Sequence, residues 1–350
     1  MKNPIELNKA LEDMLEQSEL YQPTAFWNKA SQNIASELAK CGVEKFRSLP
    51  IALDYFVPTY GMPGNGISKE QKKIFLKELE ASGLNGVKPG LALQQFLSGR
   101  NAAIADYRVL LSADDPNQKP FLHLFSESNI GSPVEQHEFE GRKFSRSSLN
   151  YLLGLAMLKK HLGGFLPKNI LEIGGGFGTL GEILSSSQIE NLRYIDVDIP
   201  PTSYVAQYYL QEVLGGLNVS TYGETSELAE ISIESLKMAS VLCAWQIEKL
   251  RGAIDLFVNF ISFQEMEPGI VKNYLFHVDR LGSKWILLRN IREGKERRTP
   301  ERSGVEEPIL GDDYLKMLPN YQLIERNVIP FGYETVDGFH SELLLLKRIL

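Results

Sequence analysis

Cysteine is scarce in this chain: two in 350 residues, Cys41 and Cys243, far apart in sequence. That excludes a disulfide framework and a cysteine-built zinc site, and it suits a reducing cytoplasm, the expected compartment. Histidine is also sparse, with five scattered residues and no His-x-x-x-His pair, so no metal site is expected. Basic residues do not predominate: 37 Lys and Arg stand against 44 Asp and Glu, a net charge of −7. A nucleic-acid footprint would be basic and clustered, so no nucleic-acid partner is expected. No apolar run approaches the roughly 18 residues of a membrane span. The first residues, Met1 to Lys9, lack the apolar core of a secretory leader.

What remains is ordinary globular composition, 43% apolar and 23% charged, over a length that suits two units. Residues 1–120 read as a helical cap or oligomerisation region. Leu7, Leu11, Met14 and Leu15 form one apolar stripe, and Trp27, Ala30, Ile34 and Leu38 a second. The Pro- and Gly-rich segment 50–66 reads as a loop. Residues 121–350 form the second unit, and from Asn169 onward strand and helix alternate. Strands are expected at 169–173, 192–198, 218–222 and 256–261, and again at 285–289, 322–329 and 342–347. Helices are expected at 145–162, 179–187, 202–214, 226–237, 269–281 and 312–317. The segment 239–245 is ambiguous. The short link between the last two strands leaves no room for a crossover helix, so they should be antiparallel.

The densest signal is Leu171-Glu-Ile-Gly-Gly-Gly-Phe-Gly178. A short apolar strand runs into Gly174, Gly175, Gly176 and Gly178, and a helix follows. Glycines there allow a sharp turn and close approach of a ligand to the backbone. A dinucleotide fingerprint needs glycine where this chain has Thr179, which disfavours a nicotinamide-dependent oxidoreductase. Glu172 lies two positions before the first glycine. The next strand ends in Asp196-Val-Asp198, and Asp198 lies 24 positions after Gly174. An acid at that tip suits the ribose hydroxyls of an adenosine ligand, and both Asp196 and Asp198 lie on the required face.

The spacing Glu-x-Gly-x-Gly-x-Gly resembles the first motif of class I S-adenosylmethionine (SAM) methyltransferases. Together with Asp198-Ile-Pro-Pro-Thr202, Ala206-Gln-Tyr-Tyr-Leu210 and Asp255-Leu-Phe-Val-Asn-Phe-Ile-Ser-Phe-Gln-Glu-Met266, it resembles the bacterial sugar O-methyltransferases of surface-polysaccharide and secondary-metabolite clusters. The Phe26-Trp27 and Ile130-Gly-Ser-Pro-Val-Glu135 segments are similar too. The resemblance implies a Rossmann-like α/β fold: a mostly parallel seven-stranded sheet with an antiparallel last strand. It implies SAM as cofactor and transfer of a methyl group to a sugar or glycosylated hydroxyl. A non-sugar small-molecule acceptor, and a non-catalytic partner protein of the same fold, are the alternatives. It also favours Asp198 over Asp196 for the ribose.

Strand tips supply the remaining candidates. Trp245 and Gln246 could hold the adenine, although Trp245 reads equally as core. Ser262, Gln264 and Glu265 follow the 256–261 strand, and Arg289 and Asn290 end the next; these face the methyl acceptor. A general base is sought among Glu265, His340 at the start of the last strand, and His137. The Asp312-Asp313 pair opens a helix, where acids are stabilising without any metal. The basic stretch Arg289 to Arg302, interrupted by Glu293, Glu296 and Glu301, reads as a solvated loop.

Overall fold

A computed structural model describes residues 4–61, 69–82, 89–300, 303–335 and 338–349. Six helices come first: α1 (Pro4–Leu15), α2 (Ala25–Cys41), α3 (Pro50–Tyr55), α4 (Lys69–Ala81), α5 (Pro89–Leu97) and α6 (Arg100–Ala113). A hairpin of β1 (His137–Phe139) and β2 (Arg142–Phe144) leads into α7 (Arg146–Lys159). Ser145 starts α7 through a reciprocal cap with Ser148.

The alternating part then follows: β3 (Asn169–Ile173), α8 (Thr179–Ser186), β4 (Arg193–Asp198), α9 (Thr202–Leu214), β5 (Val219–Ser220), α10 (Tyr222–Thr225) and β6 (Ile231–Ser232). After these come β7 (Ala239–Cys243), β8 (Leu250–Arg251), β9 (Leu256–Phe260), α11 (Pro268–Arg280), β10 (Trp285–Ile291) and α12 (Gly311–Met317). The chain closes with β11 (Tyr321–Asn327), β12 (Tyr333–Glu334) and β13 (His340–Arg348).

The main sheet has the order β11-β13-β10-β9-β3-β4-β7-β5, with β12 attached to β13. Strands β10, β9, β3, β4, β7 and β5 are mutually parallel. β13 lies antiparallel between β10 and β11, as the short link requires. This is the expected Rossmann-like fold, a mostly parallel sheet with an antiparallel last strand; the segment left ambiguous supplies β7, and two-residue β12 is the other strand of this sheet beyond the seven expected. The order reverses at β3, which has β4 on one side and β9 on the other. A crevice therefore opens beyond the carboxyl ends of these strands.

Three local expectations are corrected. The 50–55 part of the presumed loop is helical, started by Pro50 at its first turn, where a missing N–H costs nothing. Residues 62–66 lie outside the described residues. The helix expected at 226–237 does not form: Ile231 and Ile233 are buried with exposed Ser232 between them, a period of two. Leu15 ends the first stripe in solvent, while Leu7 and Met14 are buried.

The N-terminal helices are not a separate layer. Ala30, Ile34, Phe46 and Phe56 share one apolar cluster with Leu152 of α7, Leu180 of α8 and Tyr209 of α9. Arg47 is fully buried at this junction between Glu127, at 3.1 Å, and Glu135, at 2.6 Å. Its guanidinium lies 4.8 Å from the centre of the Phe177 ring in the glycine loop. The opposing carboxylates more than offset the effect of burial and hold the Arg47 guanidinium above its ordinary range.

Candidate functional site

The β3–α8 turn shows why glycine is required. Gly174, Gly176 and Gly178 have φ of +71°, +64° and +91°, a region that disfavours side chains. A Cβ on Gly174 would lie 2.2 Å from Ser262 Oγ, and one on Gly175 would lie 2.6 Å from Asp196 Oδ1. Gly174, Gly175 and Gly176 line a cavity beyond the strand tips. Gly178 stands behind them, where it precedes the first turn of α8 and packs against Leu210.

Three acids lie beneath and beside this loop. Glu172 is buried under it, with Oε2 accepting from the Tyr194 hydroxyl at 2.6 Å and Oε1 without a partner. Burial pushes Glu172 up to about 7, with the Tyr151 and Tyr194 hydroxyls working against the rise. Asp196 is also buried and accepts from the Gly175 N–H at 3.2 Å. Burial, aided by its acidic neighbours, raises it well above the carboxylate range. Asp198 alone of the three lines the cavity. Its Oδ1 accepts from Ile199 N–H at 2.7 Å and its Oδ2 from Gly176 N–H at 3.2 Å. Desolvation pushes it up to about 7, and those two bonds moderate the rise.

Thr202, in the first turn of α9, lines the same part of the cavity. Its hydroxyl is buried and has no partner. A buried hydroxyl without a hydrogen bond is costly, so this atom points to a ligand group that completes it. Tyr274, Met266 and Ile270 close this side.

The opposite side is aromatic with polar groups between. Trp27 and Tyr55 come from the N-terminal helices α2 and α3, and Phe56 and Pro58 from the chain just after α3. Ser147, Asn150 and Tyr151 come from α7, and Phe260 from β9. Tyr151 stacks on Phe260 at 4.8 Å between ring centres. At the tip of β9, Ile261 has φ of +73°, an unfavourable value for a β-branched residue. Such backbone strain gathers at functional sites. The next residue, Ser262, lines the cavity, and so does Glu265. Glu265 is heavily engaged: Oε2 accepts from Trp27 Nε1 at 3.1 Å and Oε1 from Lys295 Nζ at 2.9 Å.

The other sequence candidates sit off the cavity wall. Trp245 is buried edge-on to Tyr222. Gln246 satisfies Cys243 N–H at 2.8 Å and donates to Thr225 at 3.1 Å, which secures the turn after β7. Gln264 and Asn290 join β9 to β10, the Gln264 N–H donating to Asn290 Oδ1 at 3.2 Å. Arg289 is buried and donates to Asn150 Oδ1 at 3.1 Å and to the Phe331 carbonyl at 2.6 Å. It therefore bears on the cavity from behind, through Asn150 and through the Phe260 ring 5.3 Å from its guanidinium; burial lowers it to about 10. His137 lies half-buried on β1 against Tyr60. His340 does open β13, but its Nδ1 is 2.6 Å from Glu293. Asp312 and Asp313 pair with Arg326 and Lys316. Among the described residues no cluster of His, Cys, Asp and Glu is placed to hold a metal, and no helix is long and apolar enough to cross a membrane.

Thr202, Tyr55, Trp27 and the α7 face were not singled out as site residues from the sequence. Thr202 had a readable signal, since it follows Asp198 by four residues and opens a helix. The others are brought in by tertiary packing alone.

No family model and no curated protein matches the chain. Solved structures do resemble it, at low identity. Magnesium protoporphyrin IX methyltransferase (ChlM) from Synechocystis PCC 6803 with bound SAM aligns at 15% identity, covering 58% of this chain and 81% of that one, with a TM-score of 0.39. A SAM-dependent methyltransferase from Aquifex aeolicus aligns at 16% identity over 57% and 93% of the two chains, with a TM-score of 0.37. The mitomycin 7-O-methyltransferase MmcR aligns at 12% identity over 58% of each chain, with a TM-score of 0.33.

Proposed function

We propose that this protein is a SAM-dependent methyltransferase acting on a hydroxyl of a sugar or glycosylated small molecule. The observation that carries the cofactor reading is the shared wall of the cavity. The glycine loop after β3 and the Asp198 carboxylate after β4 face the same space, joined by the Gly176–Asp198 bond.

The residues present fit the cofactor. Asp198 already accepts two backbone N–H groups, but a carboxylate has about four acceptor sites. It can therefore take ribose hydroxyls as well, and Thr202 offers a further unpaired hydroxyl. Gly174 to Gly176 let the methionine part lie against the backbone of a loop in which a Cβ on Gly174 or Gly175 would collide with Ser262 or Asp196. When bound, SAM supplies an activated methyl group.

The chain's own contribution is alignment. Positioning of reactants can supply several kcal/mol of a transfer barrier, about 7–11 in the most favourable cases. Ser147 and Asn150 place polar groups among the aromatic rings of that wall. Arg289 holds Asn150 in place. Trp27 and Tyr55 offer flat apolar faces, which suit the C–H faces of a sugar ring, while the amides and hydroxyls suit its oxygens. An aromatic non-sugar acceptor is the second reading, favoured by the same rings. The helical region 1–120 acts as the cap that closes this side and excludes water. Among the sequence candidates for a general base, His137 and His340 stand away from the cavity. Glu265 lies on its wall, but both its oxygens are occupied by Trp27 and Lys295. We assign Glu265 to holding the wall.

The test is methyl transfer from radiolabelled SAM to a panel of glycosides and sugar nucleotides set beside phenols. Labelling led by the glycosides supports the sugar reading; labelling of phenols alone replaces it with the second.

A further inference from the structure

The segment running from Glu19 to Trp27 covers one side of the cavity. It contains one turn of 3-10 helix (Glu19–Tyr21) and the first residues of α2. Leu20, Gln22, Thr24 and Trp27 line the cavity from this segment. Side-chain bonds tie it to the body of the protein at two points. At one end, Tyr21 donates to Glu248 Oε1 at 2.7 Å and lies 3.2 Å from His277 Nε2. At the other end, Thr24 Oγ1 donates to the Glu265 carbonyl at 3.2 Å and the Trp27 indole donates to the Glu265 carboxylate. Lys295 grips the other oxygen of that carboxylate and sits 4.5 Å from the centre of the Phe26 ring.

The position of Glu265 is what makes this arrangement informative. It comes from the loop after β9, whereas Trp27 and Phe26 come from α2 and Lys295 from the loop after β10. One carboxylate thus joins three elements at the edge of the cavity. A carboxylate with one oxygen in an ion pair and the other on an indole is well suited to fixing a wall and poorly suited to taking a proton. No strand ladder joins the segment to the sheet. Its hold is side-chain bonding and packing, which can open without unfolding the domain.

We propose that Glu19–Trp27 is a removable wall through which the cofactor is exchanged, and that Glu265 is the positioning residue that latches it through Trp27 and Lys295. This rests on the cofactor reading above. With the latch closed, SAM is sheltered and the aromatic face of Trp27 is set against Tyr55 at the acceptor side. With it open, spent S-adenosylhomocysteine (SAH) leaves.

The experiment follows SAH binding to the immobilised full chain by surface plasmon resonance, for the wild type and for Glu265→Gln, Lys295→Met and Trp27→Phe. A weakened latch exposes the site in both directions. Glu265→Gln should therefore raise both the association and the dissociation rate, each at least about 5-fold, with a smaller change in Kd. Lys295→Met should act alike, and the double variant Glu265→Gln with Lys295→Met should be no faster than the single ones. Trp27→Phe keeps a ring but loses the N–H donor, and it should also raise both rates. A faster dissociation with unchanged association would mean simple loss of contact and would overturn the gate. Unchanged rates in all variants would do the same. If the folded wild type fails to bind SAH, the cofactor reading itself falls and takes this inference with it.

Discussion

Asp198 Oδ2 accepts the backbone N–H of Gly176 at 3.2 Å, so the acid at the tip of one strand holds the glycine loop at the tip of the next. The bond couples the two features that the sequence displays most plainly. It also means that Asp198 has a structural task beside the ligand contact proposed for it.

Replacing Asp198 by Ala removes the proposed ribose acceptor and frees the Gly176 N–H. A hydrogen bond to a charged group contributes about 1.5–3 kcal/mol. Calorimetric titration with SAH should therefore show affinity lowered by about 10- to 150-fold. Unchanged affinity would remove Asp198 from the ribose.

Asp198 also predicts a pH dependence. Burial raises it to about 7, above the range of an unfolded chain. The folded state therefore holds this proton more tightly than the unfolded state. Its contribution to stability is greatest below the ordinary carboxylate range, falls as pH rises, and is lost above about 7. Ligand binding has the opposite sign, because ribose hydroxyls donate to the ionised form. SAH should bind more tightly at pH 8 than at pH 6, and Asp198→Asn should flatten the profile. A flat wild-type profile in calorimetry would count against this coupling.

Thr202→Val removes a buried hydroxyl that has no partner in the free protein. Stability should hold or rise slightly by thermal denaturation. SAH affinity should fall by about 0.5–1.5 kcal/mol, the usual net worth of one neutral hydrogen bond. A loss of stability with SAH affinity intact would place this hydroxyl in the fold and not in the site.

Arg47 is fully buried between Glu127 and Glu135. Arg47→Met leaves both carboxylates buried without their cation. Breaking a buried ion pair this way costs about 3–5 kcal/mol, which urea denaturation would register. Because Arg47 also packs on Phe177, SAH affinity should fall with it. A change under about 1 kcal/mol would show that the acids find other partners or take up protons.

Much of the fold was legible because its signals are local. Apolar runs such as Leu256–Phe260 end in polar tips, and two of the four glycines, Gly174 and Gly175, sit where a Cβ would strike Ser262 or Asp196. The tip of β13 was legible too, since its link to β11 is short. The failures were local as well: Ile231 and Ile233 alternate over too few residues to stand out from a helix. The site was only half visible. Gly174 to Gly176, Asp198, Ser262 and Glu265 are strand-tip residues, and strand tips can be located from sequence. Trp27 and Asn150 are held at the cavity by Glu265 and Arg289, more than a hundred residues away, and Tyr55 by packing on Trp27, contacts which no periodicity marks. Arg289 and Gln264 sit at strand tips yet turn to lock neighbouring elements, because their hydrogen-bonding partners happen to lie behind the wall.

The central claim is that one cavity, walled by the glycine loop and Asp198, holds SAM. Calorimetric titration of the 350-residue chain with SAH tests it most directly. The account predicts one site per chain, micromolar or tighter, weakened in Asp198→Asn and tighter at pH 8 than at pH 6. A folded protein that gives no binding heat across several temperatures, and no thermal shift with SAM or SAH, would contradict it.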